Sequence, residues 1–259
     1  VKIQKSSVCL TSSNMKTILP NWPAPKNVKA FASTRVGGFS SAPYQGLNLG
    51  AHVGDDPSIV EKNRAWLAQQ ANMPSAPIWL NQTHSTVVAQ MSTPTTQVLD
   101  ADGVFTSASN VVCSAMTADC LPVLLTNTQG TQVAAVHAGW RGLANGIVEN
   151  ALELFSGEVM AWLGPAIGPQ AFEVGEDVLQ AFVDFDSQAH QALTPRDVAG
   201  KWLADISKLA TQRLNKLGIT QVFDSGLCTF QDKEDFYSYR RDGVTCLLYT
   251  SPSPRDLDL

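Results

Sequence analysis

The pattern of apolar and polar positions divides the middle of the chain into short strands and short helices. Runs of alternating or continuously apolar residues predict strands at 28–34, 76–80, 86–91, 111–116, 122–126, 131–138 and 159–163. Apolar residues at helical spacing predict helices at 56–70, 142–155, from 176 onward and 202–217. The last of these segments has the clearest amphipathic stripe.

The first helix has a start signal that can be read directly. Asp56 is an acidic residue suited to cap a helix, and Pro57 suits the first helical position. We expect this helix to end at about Gln70. Its inward residues should be Ile59, Val60, Asn63 and Leu67.

The order of these elements indicates the fold class. Strands and helices alternate irregularly, and no helix interrupts the strand block at 76–126. This order predicts an α+β fold with mixed or antiparallel sheets, not a doubly wound parallel sheet. We expect one domain over 15–245. Residues 1–14 are polar and patternless and the chain end is rich in Pro and Ser, so 1–14 and 246–259 are expected to be non-native or disordered extensions.

The composition argues against several classes of binding partner. The net charge of -5 and the pI near 5.3 argue against a nucleic-acid partner, because phosphates require a surface rich in Lys and Arg. No run of 18 apolar residues is present, so no membrane partner is expected. The five cysteines form no C-x-x-C pair, which favours a reducing compartment and hence the cytoplasm. The oligomeric state is left open.

The chain has only four histidines and five cysteines, and three of these residues lie in apolar segments. His84, Cys120 and His137 offer two imidazoles and a thiolate, which would hold a zinc-type ion and leave a fourth position open. The same residues would also suit a cysteine–histidine nucleophilic pair. Their separations match no compact zinc finger, so both interpretations stay open at this point.

Two further residues are candidates for chemistry. Arg35 stands before Gly37 and Gly38, and a guanidinium beside flexible backbone suits an oxyanion or a phosphate. Asp119 precedes Cys120 and would orient a ligand or act as a base. The plainer alternatives are a surface ion pair for Arg35 and a turn residue for Asp119.

Six short motifs, taken together, resemble those of the YfiH family, the bacterial relatives of the human laccase-domain protein. They lie at 33–38, 47–50, 82–84, 117–122, 137–142 and 163–169. The resemblance spans roughly 15–245. From residue 245 onward the chain does not match the Gly-Arg step and the final apolar strand that the family would have there.

The resemblance implies a fold, a metal and an activity. The implied fold is a layered α/β sandwich with mixed sheets, similar to the catalytic domain of cytotoxic necrotizing factor. The implied Zn2+ ligands are His84, Cys120 and His137. The implied enzyme is a purine nucleoside phosphorylase that uses phosphate with adenosine, inosine or methylthioadenosine and also deaminates adenosine. In that reaction we expect Arg35 to hold phosphate and Asp119 to act as acid or base.

Other functions remain as alternatives. The family has also been described as laccase-like polyphenol oxidases, which predicts Cu2+ on the same three ligands with Met116 as a weak axial one. A cysteine hydrolase that acts on peptidoglycan precursors would use Cys120 without metal. A structural zinc site would need a fourth protein ligand, for which His52 and Cys113 are the candidates.

Overall fold

The computed structural model describes residues 6–10, 15–244 and 247–254. Its strands are β1 (Ser7–Leu10), β2 (Lys16–Leu19), β3 (Val28–Ser33), β4 (Val88–Gln90), β5 (Gly103–Thr106), β6 (Ala115–Thr117), β7 (Leu121–Asn127), β8 (Val133–Ala138), β9 (Val159–Leu163), β10 (Glu173–Gly175), β11 (Leu193–Pro195), β12 (Lys201–Ala204), β13 (Gln221–Asp224) and β14 (Leu248–Pro254). Its helices are α1 (Pro57–Gln70), α2 (Trp140–Asn145), α3 (Ile147–Leu152), α4 (Glu176–Val183), α5 (Ile206–Lys216) and α6 (Tyr239–Asp242), with a 3₁₀ helix at Ser187–Ala192.

The strands form three sheets. An antiparallel sheet has the order β1-β2-β3-β14-β6, and a mixed sheet has the order β13-β9-β7-β8-β5-β4 with parallel pairs only at its two edges. A small antiparallel sheet has the order β10-β12-β11. The α+β class with mixed and antiparallel sheets is therefore confirmed.

The two larger sheets stack face to face, and helices cover the stack on both sides. Along β7, Val123 packs with the helices α2 to α5, whereas its neighbour Leu124 packs between the sheets. On the other outer side, Leu67 of α1 packs with Tyr249 of β14. The central strands are apolar at nearly every position because both of their faces are buried.

The start of α1 follows the sequence prediction. Asp56 caps the helix, since its Oδ1 accepts a hydrogen bond from the Ser58 N–H at 2.8 Å, and Pro57 is the first helical residue. Val60, Asn63 and Leu67 are buried as expected, whereas Ile59 is only half-buried. Capping is a local interaction, so the sequence is sufficient to predict it.

Two predicted helices are wrong in their extent. The segment 142–155 contains α2 and α3, which are separated at Gly146, whose φ of 102° is left-handed. The segment 202–217 begins with β12, which pairs with β10 and β11, and only then continues as α5. Asp205 separates these two elements because its carboxylate caps α5 at the Lys208 N–H.

The parts of the expected extensions that the structure describes form strands instead of disordered segments. Strand β14 lies between β3 and β6, and strand β1 pairs with β2. The Pro/Ser pattern of β14 suggested disorder, but Pro252 and Pro254 still offer carbonyls, which accept hydrogen bonds from Cys113 and Asn110. Residues 1–5, 11–14, 245–246 and 255–259 of the expected extensions and their junctions lie outside the described part of the chain.

Within the described ranges, no helix is long and apolar enough to cross a membrane.

Strand β14 should carry a large share of the stability. Tyr249 is fully buried, and its ring lies 5.7 Å from the rings of both Phe31 and Trp79. We expect Tyr249→Ala to lower the free energy of unfolding by about 3–5 kcal/mol, as for other buried aromatic residues. Urea unfolding measures this loss, with Val198→Ala as the control because Val198 is 60% exposed. An unfolding midpoint equal in the two variants would contradict the placement of β14 in the core.

Candidate metal centre

Three ligand side chains meet at one end of the mixed sheet. Cys120 immediately precedes β7, and His137 lies in β8 opposite Pro122 of β7. His84 comes from the loop before β4. The antiparallel pairing of β7 with β8 therefore brings Cys120 and His137 to the same place, although 16 residues of chain lie between them.

His84 is held in an unusual backbone conformation. Its φ of 62° is left-handed, which is uncommon for a residue other than glycine. The Asp102 carboxylate accepts hydrogen bonds from three consecutive backbone N–H groups, those of Thr83, His84 and Ser85, at 3.1, 2.9 and 2.7 Å. It also accepts one from the Ser85 hydroxyl at 2.6 Å. These bonds fix the turn that presents the His84 ring.

The same carboxylate orients His137. The His137 Nδ1 atom lies 2.8 Å from Asp102 Oδ1, and Asp102 is fully buried. Burial alone would raise the pKa of Asp102, but the hydrogen bonds from His137 and Ser85 bring it well below its usual range. An ionised Asp102 holds the proton on Nδ1 of His137. The other ring nitrogen, Nε2, is then available to bind a metal ion.

Cys120 lies beside both rings. Its Sγ atom is 3.6 Å from Nε2 of His84. Burial favours the neutral thiol, but the charge of His137 and hydrogen bonds with both histidines lower the pKa of Cys120. The pKa of His137 is correspondingly raised, against burial, by Cys120 and Asp102. By contrast, burial raises the pKa of Cys113, which has no such partners.

The three donors are of the types that bind zinc, and they lie close together. Their ligand atoms all lie within 4.8 Å of one another. Tetrahedral zinc with ordinary Zn–N and Zn–S bond lengths would separate a nitrogen from a sulfur ligand by about 3.6 Å, which agrees with the distance from Cys120 to His84. Gly139 leaves room for this approach, since a Cβ atom there would lie 2.6 Å from Cδ2 of His84.

A cavity of about 400 Å³ opens over the three ligands. Its walls are largely apolar, and no arginine or lysine of the described chain is among the lining residues. They are His52, Val53, Gln82, His84, Met116, Thr117, Ala118, Cys120, His137, Tyr239 and Leu247. A metal ion held by three side chains at the wall of such a cavity would keep a coordination position open for a substrate.

The other two predicted site residues lie elsewhere. Arg35 lines a neighbouring cavity of about 690 Å³ together with Lys233 and Arg241. Its guanidinium lies 4.5 Å from the ring centre of Tyr237 and donates hydrogen bonds of 3.3 Å to two backbone carbonyls. It is therefore not part of the wall around the three ligands.

Asp119 is bonded within the fold and does not line the cavity of the three ligands. Its carboxylate accepts hydrogen bonds from the hydroxyls of Thr229 and Ser238, at 2.6 and 2.9 Å, and from the Arg240 N–H at 2.7 Å. Asp119 itself has a left-handed φ of 85°. These bonds fasten the turn before Cys120 to distant parts of the chain, so Asp119 positions the cysteine.

Asp102 is the residue that the sequence analysis missed. The segment 99–103 contains a second aspartate, Asp100, and nothing in its pattern singles out Asp102. The only signal was a charged residue placed directly before the fully buried strand β5. A buried charge needs partners, and that requirement is a hint of function.

The fold and the site together define an α+β protein with an open His-Cys-His centre of the kind that metal-dependent enzymes have. Residues 29–248 match the family described as multi-copper polyphenol oxidoreductase laccase. A purine nucleoside phosphorylase of Haemophilus influenzae is 52% identical over 235 residues, which cover 89% of this chain and 96% of that protein. The purine nucleoside phosphorylase YfiH of Escherichia coli is 48% identical over 233 residues, 89% of this chain and 95% of the relative.

Solved structures agree with these relatives. A Neisseria meningitidis protein of the DUF152 family superposes with a TM-score of 0.88 at 43% identity, covering 94% of this chain and all of that one. The YfiH protein of Bacillus licheniformis superposes with a TM-score of 0.87 at 26% identity, covering 96% and 99% of the two chains. The chain belongs to the YfiH, or laccase-domain, family.

Asp102 should control metal affinity. In Asp102→Asn the amide is a weaker acceptor for His137 Nδ1–H, so we expect zinc affinity to fall by about 10–100-fold, as for other partners of metal-binding histidines. Competition with a chromogenic chelator measures this. Asp100→Asn is the matched control, because Asp100 is exposed and, among the described residues, its side chain bonds the Asn81 amide alone. Equal affinities in the two variants would show that Asp102 does not act on the centre.

Proposed function

We propose that this protein is a zinc-dependent purine nucleoside phosphorylase that accepts adenosine, inosine and methylthioadenosine and also deaminates adenosine. The observation that carries the proposal is the open His-Cys-His centre at the wall of an apolar cavity of about 400 Å³. The names of the relatives supply the reaction class.

The residues around the cavity have different roles in the proposed function. His84, Cys120 and His137 would hold the ion, and Asp102 keeps both imidazoles in place. When bound, zinc supplies Lewis-acid polarisation and the activation of water near neutral pH. The apolar walls suit the faces of a purine and exclude bulk water from the reacting atoms.

Phosphorolysis and deamination make different demands on this cavity. In phosphorolysis a phosphate oxygen bonds to C1′ of the sugar, and the electron pair of the bond from C1′ to N9 passes to the departing purine. In deamination, water adds at C6 of adenine and ammonia leaves. Both reactions need the nucleoside held in one orientation, so a single cavity can serve both.

Both zinc binding and turnover should depend on Cys120. We expect about one zinc per chain, phosphate-dependent release of adenine from adenosine, and inosine formation without phosphate. Cys120→Ser should lose the zinc and both activities, because a hydroxyl is a poor zinc ligand. Mass spectrometry of chelator-washed protein and chromatography of the products measure these.

Cys228→Ser is the matched control for that experiment. Cys228 lies outside the cavity of the three ligands, and its sulfur accepts a hydrogen bond from the Gly168 N–H. It should keep zinc and turnover. Wild-type protein that holds zinc but turns over no purine nucleoside would contradict the proposal.

Copper chemistry is the second candidate, because the matched family is described as a polyphenol oxidoreductase and Met116 lines the cavity. A copper centre of two imidazoles and a thiolate, with a weak thioether, is a known arrangement for electron transfer. Copper in the protein and oxidation of phenols without nucleoside turnover would favour it. Protein that lacks any metal, but loses activity on alkylation of Cys120, would favour the cysteine hydrolase.

Arg35 lines the neighbouring cavity and also has a role in the proposed function. Helix α6 contributes to both cavities, since Tyr239 faces the ligands while Arg241 and Asp242 line the cavity of Arg35. That cavity is lined by the cations Arg35, Lys233 and Arg241 and by the acids Glu234 and Asp242. Asp242 pairs with Arg241 at 2.7 Å, whereas Arg35 bonds only backbone carbonyls among the described residues, so we propose that phosphate binds at Arg35.

Arg35→Gln should therefore separate the two reactions. We expect the KM for phosphate to rise by about tenfold or more, the loss expected for one charge-assisted hydrogen bond, while deamination is unchanged. Steady-state kinetics with varied phosphate measures this. Arg196→Gln is the control, because Arg196 pairs with Glu173 away from both cavities. Equal losses of phosphorolysis and deamination in Arg35→Gln would assign Arg35 a structural role instead.

A further inference from the structure

The cavity over the three ligands contains a histidine that the proposed function has not used. Its lining includes His52 and Tyr239 besides the ligands. Gln82 is not available for substrate chemistry, because its amide both donates to the Met116 carbonyl, at 2.7 Å, and accepts from the Met116 N–H, at 2.8 Å. Of the remaining polar groups, only an imidazole has an ordinary pKa close to neutrality.

His52 stands on a loop that is fastened from several sides. Asn48 is fully buried, donates to Asp55 at 2.9 Å and accepts from the Gly50 N–H at 3.0 Å. The Arg64 guanidinium donates twice to the Leu49 carbonyl, at 3.0 and 2.8 Å. The backbone before His52 is therefore fixed by hydrogen bonds.

The imidazole itself is left exposed. In the described part of the chain, no hydrogen bond or ion pair involves the His52 side chain, although it lines the cavity. Partial burial and the positive charge of Arg64 lower its pKa. The imidazolium is therefore a stronger acid than usual, and a smaller fraction of His52 carries the proton near neutral pH; the exposure of the ring lets solvent return the proton.

Departure of a purine needs an acid of this kind. When the bond from C1′ to N9 breaks, its electron pair enters the purine ring, and the negative charge is relieved by a proton on N7. In the proposed enzyme a bound metal ion would take one ring nitrogen of His84 and one of His137, and Asp102 bonds the other nitrogen of His137.

We propose that His52 is a catalytic residue that gives its proton to N7 of the departing purine. The inference rests on the proposed phosphorylase function. In the step, phosphate oxygen bonds to C1′, the bond from C1′ to N9 breaks, and the His52 proton moves to N7. The neutral imidazole then takes a proton from solvent, so the enzyme returns to its starting state.

Nucleosides that already carry a methyl group on N7 test this directly. Their ring has the positive charge that protonation would supply, so they need no proton donor. His52→Gln should lower kcat for inosine by about 100-fold or more, the usual contribution of a general acid. Its kcat for 7-methylinosine should stay near the wild-type value.

Two further variants make the result specific. His190→Gln is the matched control, because His190 lies in the 3₁₀ helix and bonds the Ser187 carbonyl, away from the cavity. It should turn over both nucleosides as the wild type does. Tyr239→Phe should alter both nucleosides alike, since it removes a hydroxyl from the cavity wall and keeps the ring.

Several outcomes would overturn the inference. Equal losses on inosine and 7-methylinosine in His52→Gln would assign His52 to binding or structure. Loss of zinc in His52→Gln would make His52 a fourth metal ligand. A loss confined to inosine in Tyr239→Phe, with His52→Gln active, would make Tyr239 the donor. Wild-type protein that turns over neither nucleoside would instead refute the proposed function itself.

Discussion

The Asp102 carboxylate is the interaction on which the candidate centre depends. It is fully buried and accepts hydrogen bonds from the turn at 83–85 and from the His137 ring. A buried charge is stable only when it is bonded in this way, so the bonds that stabilise Asp102 also orient two of the three ligands. Folding of the core and assembly of the site are therefore one event at this residue.

The stacked sheets supply the rigidity that this arrangement needs. Asp102 directly precedes β5, which pairs with β8, and β8 in turn pairs with β7. Ligands held at the ends of buried strands cannot move apart without breaking ladder hydrogen bonds. The second sheet, with β14 near its centre, covers the inner face of these strands. The stability of a distant strand thus contributes to the geometry of the site.

The proposed function uses two cavities that differ in the polarity of their walls. The cavity of the three ligands is mostly apolar, whereas the cavity of Arg35 is lined by three cations and two acids. Helix α6 stands between them and contributes to both walls. This division suits a reaction between an aromatic base and an anion, because each reactant meets walls of matching polarity. In the proposed reaction, His52 adds a proton donor to the apolar side.

The sequence by itself determined what depends on nearby residues: the capped helix at Asp56, the buried strand at 159–163, and the α+β class. The scarcity of histidine and cysteine also singled out the ligand types. Only the tertiary structure decided that Asp102 holds His84 and His137, that β14 is a central strand, and that Arg35 belongs to a separate cavity. Each of these features depends on contacts between residues far apart in the chain. The local pattern of polar and apolar residues does not predict such contacts.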